Sequence, residues 1–399
     1  MNASRSFDVV VVGGGLAGQL TVLALAARAP SLTVALVERA PSLAGNHTWC
    51  CQLSDFLPSE EGRPPSWFLP VVDHRWPHYL VRFPTYERTI EADYLCLRST
   101  SLASASEQAL ARNGCSLLTK NSVEQVGRDC ATLASGEILT GRLVLDARGG
   151  ELGDYDGRAG YQKFIGWEIE VEQAGAFPSM PVLMDATVAQ IDGYRFVYVL
   201  PFSSTRFLIE DTYFSRRKDL NPGLARERLR EHLAARGIAR FEQVREEGGI
   251  LPMPWAEAER PAGDATAIGY RGGFFHPGTG YSLPRAVLVA ERLARLAGSV
   301  QSGGLAPAAA ESLRALRIAW AADDRFARLL NRLAFRLVPP ARLRDAVFST
   351  VYRLPAPVLS RFYAGRTRLR DRLALAAAPT RIPFLRHAAE QPLLFGENS

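Results

Sequence analysis

The chain has 399 residues, 47% hydrophobic and 22% charged, with a net charge of +6, values that exclude a disordered or fibrous protein and predict two or three globular domains. The charge is uneven: residues 324–399 carry 14 Arg against five acidic residues, whereas the first 323 residues carry 33 basic and 36 acidic ones. A basic tail on a near-neutral body points to an anionic partner, either nucleic acid or lipid headgroups.

The first predicted element is a buried parallel strand, Phe7–Val12, which is β-branched and continuous and closes on glycine. Gly13, Gly15 and Gly18 come next in G-x-G-x-x-G spacing, then a helix from Leu16 to about Ala29, a second strand Leu32–Val37, and Glu38. Gly13 permits the tight turn, Gly15 lets a pyrophosphate approach the backbone, and Gly18 lets the helix pack close to the strand. The helix N-terminus offers free N–H groups to the phosphates, and Glu38 lies where an acid accepts hydrogen bonds from ribose hydroxyls. This order of strand, glycines, helix, strand and acid predicts a dinucleotide site. FAD is favoured over NAD because the motif is N-terminal in a long chain and two later segments return to the cofactor. One is the strand and turn at Val144–Gly149, carrying Asp146; the other is the glycine-rich run Ala267–Pro284, carrying Gly278 and Gly280 ahead of a helix Arg285–Ala297.

Between these segments the periodicity approaches two. Phe164–Val171, Pro181–Val188, Tyr194–Leu200 and Arg206–Phe214 read as an antiparallel meander, with a hairpin signal at Asp192-Gly193. On the last strand Glu210 and Asp211 point to opposite faces. A carboxyl buried in an apolar layer there would be raised in pKa and could serve as a general acid, while pairing of Glu210 with Arg206 is the bland alternative. Residues 221–237 read as a charged helical arm facing water. Phe326, Leu329, Leu330, Leu333 and Leu337, interleaved with Arg, read as a basic amphipathic helix, on a membrane surface or packed with Arg toward water. Five cysteines without CxxC or metal-ligand spacing are expected to be free thiols of a cytosolic protein, and no metal is expected. No apolar run approaches the about 20 residues of a membrane span, no signal peptide is evident, and no recognition motif favours nucleic acid.

Nine segments in order carry a resemblance: Gly45–Trp49 (GNHTW), His74–Pro77 (HRWP), Val81–Pro84 (VRFP), Met184–Thr187 (MDAT), Gly193–Tyr198 (GYRFVY), Leu208–Thr212 (LIEDT), Phe275–Pro277 (FHP), Thr279–Pro284 (TGYSLP) and Arg361–Gly365 (RFYAG). The chain resembles the bacterial lycopene β-cyclases to about residue 372. The resemblance implies a glutathione-reductase-like α/β flavoprotein: a Rossmann-type FAD-binding domain, an antiparallel-sheet substrate domain and a helical, basic C-terminal region. The expected domains are 1–75, 105–160 and 262–300 for FAD, 76–104 and 161–261 for substrate, and 301–399 for a membrane-facing region.

The activity implied by the resemblance is ring closure on lycopene or a related acyclic carotenoid, peripheral to the cytoplasmic side of the membrane. It would use reduced FAD with NAD(P)H, directly or through a flavin reductase, as the electron source. Glu210 becomes the leading essential carboxylate, with Asp211 and Asp185 as further acids. Trp49, Trp167, Phe196, Tyr198 and Phe207 are the aromatic candidates to stabilise a substrate cation. His276, like His47, is a substrate, core or cofactor contact. Gly278 departs from the family's more frequent threonine and is expected only to add backbone freedom. An FAD-dependent monooxygenase or desaturase, and a non-enzymatic flavin and carotenoid carrier, are the alternatives.

Overall fold

The computed structural model describes residues 4–56, 63–150, 152–258, 266–300, 304–337 and 341–378. Its strands are Ser4–Val12 (β1), Val34–Val37 (β2), Thr48–Gln52 (β3), His74–Phe83 (β4), Tyr86–Arg98 (β5), Ser116–Leu118 (β6), Val123–Val126 (β7), Cys130–Leu133 (β8), Ile138–Asp146 (β9), Ala159–Val171 (β10), Val182–Asp185 (β11), Tyr194–Pro201 (β12), Arg206–Ser215 (β13) and Phe241–Pro254 (β14). Its helices are Leu16–Arg28 (α1), Ser99–Leu110 (α2), Pro222–Ala234 (α3), Leu283–Ser299 (α4), Leu305–Arg332 (α5), Ala341–Tyr352 (α6), Ala356–Tyr363 (α7) and Leu369–Ala377 (α8).

The strands form two sheets. The first has the order β6-β2-β1-β9-β8-β7, with β6, β2, β1 and β9 parallel, and β8 and β7 returning antiparallel. Val9 to Val12 are buried, with α1 and α4 packed together on one side of the sheet. That arrangement is the Rossmann-type half the N-terminal glycines predicted.

The second sheet has the order β14-β10-β13-β12-β11-β4-β5-β3 and is largely antiparallel. β3 pairs with β5, so Thr48–Gln52 belongs to this sheet although the sequence division assigned it to the nucleotide half. The sheet curls until its two edges touch. Thr48 of β3 donates to Glu247 of β14 at 2.8 Å, and Arg245 of β14 donates to Thr48 at 2.7 Å. Curling creates a concave face, covered by α6, α7 and the glycine-rich loop, and a convex face.

Three expectations change in detail. The meander strand ends at Asp185 rather than Val188, because the Asp185 carboxylate accepts both the N–H and the hydroxyl of Thr187 and turns the chain. The charged arm, α3, is not a free solvated helix: Ala225, Leu229 and Leu233 bury against the convex face. Between 326 and 337, α5 gives way to a π-turn at Leu333–Leu337. Phe326, Leu330 and Phe335 pack into the concave-face core while Leu329 is exposed, and the side chain of Leu337 lies outside the described residues.

Candidate active site

On β13, β12 and β10 strand alternation decides what faces the cavity under the curled sheet, whereas the edge strand β3 presents three consecutive residues to it. On β13 the even positions Glu210, Thr212 and Phe214 line it. On β12 Phe196 and Tyr198 do so, on β10 Gln162 and Phe164, and on β3 Thr48, Trp49 and Cys50. Gly278, Thr279, Gly280 and Tyr281 of the glycine-rich loop, with Phe348, Tyr352, Phe362 and Tyr363 of α6 and α7, complete the wall. The free space, including its open mouth, is about 1190 Å³. Phenols crowd one end: Tyr94 and Tyr198 hydroxyls meet at 3.1 Å, and Tyr94 and Tyr281 at 3.4 Å.

Glu210 is the acid of this wall. It faces Gly166 across β13–β10, and Gly166 faces Glu247 across β10–β14. A Cβ at Gly166 would lie 2.7 Å from Glu210 Cγ and 3.4 Å from Glu247 Cγ, so the absent side chain leaves room for the two carboxyls to meet. Burial, then the charge of Glu247 and a hydrogen bond with it, push the Glu210 carboxyl well above the usual carboxylate range; Arg245 opposes only weakly. A neutral, buried carboxylic acid is a proton donor.

The suggested pairing of Glu210 with Arg206 does not occur. Arg206 donates to Glu168 at 2.6 Å, and Arg98 and Arg245 reach the same carboxylate at 3.1 and 2.5 Å. Burial raises the Glu168 pKa, but hydrogen bonds from Arg245 and Arg206 and the charge of Arg98 outweigh it and leave the group below the usual range.

Several predicted site residues lie elsewhere. Asp211, Trp167 and Phe207 point to the convex face, because each is an odd number of positions from a cavity-lining residue on its strand. Asp211 accepts from Arg195 at 2.6 Å and from Tyr213; Trp167 donates to Glu246 at 2.9 Å; Phe207 packs against Phe177 with the two rings tilted. Asp185, besides turning the chain, pairs with Arg82 and Arg236 at 3.4 and 3.2 Å. His276 is buried just behind the loop, 3.2 Å from the Thr279 hydroxyl and edge-on to Phe362, and burial with the nearby Arg285 charge pushes its pKa down to about 3. Gly278 has no positive φ, so its meaning is space rather than freedom: a Cβ there would meet Phe362 Cζ at 3.0 Å.

The dinucleotide residues fit a pyrophosphate. Gly13 has φ +107°, a left-handed conformation suited to glycine, and a Cβ at Gly18 would lie 2.0 Å from the Gly13 carbonyl oxygen. At Gly15, by contrast, a Cβ would meet nothing within 4 Å, so the space before the α1 N-terminus is open. Glu38 is held by the N–H groups of Gly14 and Ala40, each at 2.7 Å, with lone pairs left for ribose hydroxyls. Asp146 ends β9 next to this turn but is clamped by Arg148 at 2.6 Å and Arg271 at 2.9 Å. The α4 N-terminus succeeds the loop that lines the cavity, and its cap residue Ser282 makes no side-chain capping bond.

The family model described as lycopene cyclase protein matches residues 8–389. The chain belongs to the lycopene cyclase family. It is 37% identical over 382 residues to a lycopene beta-cyclase of Pantoea ananas, covering 95% of this chain and 96% of that one. It is 38% identical over 396 residues to a lycopene beta-cyclase of a Paracoccus species, covering 97% and 98%. Among solved structures, a geranylgeranyl bacteriochlorophyll reductase-like protein of Thermoplasma acidophilum superposes with a TM-score of 0.65 at 14% identity, over 94% and 96% of the two chains. At that identity the likeness concerns the fold, a mixed α/β architecture shared with flavoproteins.

Around this cavity, sequence reasoning missed Glu247, Gly166 and Thr48. Glu246-Glu247-Gly248-Gly249 lies inside the 14-residue strand β14, beyond the meander that the sequence suggested. Only the register across three strands brings Glu247 to Glu210, so no local signal pointed to it.

Proposed function

We propose that this protein closes a β-ring on one or both ends of lycopene or a related acyclic carotenoid, with reduced FAD bound and no net redox change. The observation that carries the reading is Glu210: a carboxyl buried on the wall of an aromatic-lined cavity, which burial and the neighbouring Glu247 push well above the usual carboxylate range. Family membership and the close relatives named lycopene beta-cyclase support the substrate class.

Ring closure starts when a proton adds to a terminal alkene. The resulting carbocation is attacked by a double bond further along the chain, and loss of a proton sets the ring alkene, so atoms and electrons balance as an isomerisation. Glu210 donates the first proton. The faces of Trp49, Phe196 and Tyr198, which line the cavity, attract the cation. Apolar walls exclude water that would otherwise quench it. Gly13, Gly15, Gly18 and Glu38 would hold the adenosine and pyrophosphate of FAD, and Gly278 and Gly280 the loop beside the flavin ring. Reduced flavin, when bound, supplies electron density that favours positive charge nearby. NAD(P)H, directly or through a flavin reductase, is the electron source in this reading.

The membrane surface is the proposed source of substrate. Among the described residues no helix is long and apolar enough to cross a membrane. Ile318 and Leu329 on α5, and Leu369 and Leu373 on α8, are exposed, and α8 packs on α5 through Arg372, which pairs with Asp323 and lies over Phe326. Such apolar residues among arginines suit insertion at a lipid interface, and co-sedimentation with anionic vesicles should fall on Leu369→Ser/Leu373→Ser replacement.

The test is anaerobic incubation with lycopene in vesicles, FAD and NADPH, then chromatography and mass spectrometry. A product of unchanged mass and shifted absorption is expected. Glu210→Gln should keep FAD and lose at least about 100-fold in rate. Full activity in that variant sinks the assignment of the acid; a product changed by oxygen or hydrogen, or lycopene returned intact, sinks the cyclase reading.

A further inference from the structure

Glu247 does not touch the cavity, yet its surroundings are those of half a proton-sharing pair. Its Oε2 is occupied twice: Thr48 donates its hydroxyl at 2.8 Å, and Arg245 donates from its guanidinium. Its Oε1 is buried and receives no hydrogen from any conventional donor among the described residues. A buried acceptor left without a donor is destabilising, because its hydration is lost and nothing replaces it. The group facing it over Gly166 is Glu210, which can supply the missing hydrogen only when protonated. Two like charges cannot both occupy such a site, so one proton resides on the pair. The cation beside Glu247 favours the charge there and leaves the proton on Glu210, the member that faces the cavity.

We propose that Glu247 is a positioning residue for the acid: its Oε1 accepts a hydrogen bond from the Glu210 carboxyl across Gly166, holding that carboxyl protonated and aimed at the cavity until substrate arrives. This rests on the reading of Glu210 as the proton donor. Arg245 and Thr48 fix Glu247 from the two edges of the curled sheet, so the closure of the sheet itself builds the acid. The other titratable groups facing Glu210 are Cys50 of β3, Tyr198 of β12 and Tyr281 of the glycine-rich loop. None is a permanent cation. Arg245 is the single positive charge among these neighbours, and it is committed to Glu168, Thr48 and Glu247.

Activity requires protonated Glu210, so it is lost as pH rises through the pKa of that group, which forms the basic limb of the profile. Glu247→Gln removes the neighbouring negative charge and can donate to an ionised Glu210, so the limb moves to lower pH, by about one pH unit or more. Gly166→Ala wedges a methyl against Glu210 Cγ and Glu247 Cγ, separates the pair and moves the limb the same way.

The experiment measures kcat/KM against pH for the FAD-loaded wild type, Glu247→Gln, Gly166→Ala and Glu210→Gln, with lycopene in neutral vesicles. It is accompanied by infrared difference spectra of the protonated-carboxyl band in D2O. A downward shift of the limb in Glu247→Gln or, where that variant does not fold, in Gly166→Ala supports the pair, as does a shifted carboxyl band that vanishes in Glu210→Gln. A basic limb and carboxyl band unmoved in the variants that fold overturn it. Failure of both variants to load FAD moves the decision to the wild-type band alone: its absence, or its persistence in Glu210→Gln, overturns the proposal. Glu210→Gln separates the two claims: full activity there defeats the acid itself, whereas inactivity there with an unmoved limb in Glu247→Gln defeats only the pair.

Discussion

Glu210 and Asp211 are neighbours on one strand, and the two faces of that strand give them opposite chemistry. On the convex face Asp211 meets a cation: Arg195 at 2.6 Å, with Tyr213 on its other oxygen and Arg228 behind that phenol at 2.6 Å. On the concave face Glu210 meets another carboxyl over a glycine. Burial pushes both pKa values up; the charges of Arg195 and Arg228 work against that rise at Asp211, whereas at Glu210 the charge of Glu247 adds to it and Arg245 is the smaller opposing influence. Burial alone therefore makes neither a structural ion pair nor an acid; the sign of the neighbour decides. The sharpest way to break this comparison is Asp211→Asn. It strands Arg195, which is 5% exposed, and should cost about 3 kcal/mol of stability. The basic limb of the activity profile should stay where it is, and a shifted limb would mean the two faces are electrostatically one site.

Glu168 makes the same point on the concave side, two positions along β10 from Gly166. Three arginines converge on it, from β5, β13 and β14. Glu168→Gln leaves those cations without their shared anion, but they are partly solvated, so the expected loss is smaller, about 1–2 kcal/mol by thermal or denaturant unfolding. Arg245 would then have Glu247 as its one remaining carboxylate, and a modest fall in kcat is expected with it. Unaltered stability would show that the arginine cluster is held by the strands rather than by Glu168.

Much of the nucleotide half was legible because its signal is local. Strand, turn, helix and acid succeed one another within residues 7–38, and Gly18 answers a contact five residues away, the Gly13 carbonyl, although the close approach at Gly13 itself is to Ala147 and Arg148 of the β9 turn. The candidate acid was half legible. Alternation on β13 separates Glu210 from Asp211, and the same alternation already forbids Phe207 from sharing the face of Glu210, three residues on. Choosing Phe207 and Trp167 by aromatic character, rather than by parity, sent them to the wrong side. Glu247 was not legible, since its position depends on which strand pairs with β10 and in what register. Nor was the closure of the sheet, which joins Thr48 to Glu247 across 199 residues of chain.

The opposite wall of the cavity gives the smallest effect and the finest test of what the concave face selects. Gly278 has an ordinary backbone conformation, so alanine costs nothing there in φ; what it costs is room. Its Cβ would stand 3.0 Å from Phe362 Cζ, 3.1 Å from His276 Cε1 and 3.4 Å from Ala327 Cβ. Phe362 must give by a few tenths of an ångström, and it lines the cavity on α7. Overpacking of that kind costs about 1 kcal/mol. Gly278→Ala should therefore raise KM for the carotenoid a few-fold and leave the pH limb untouched, since no charge near Glu210 has changed. A moved limb with normal KM would tie the glycine-rich loop to the proton rather than to the fit of the substrate, and the division between a charged wall and a shaping wall would not hold.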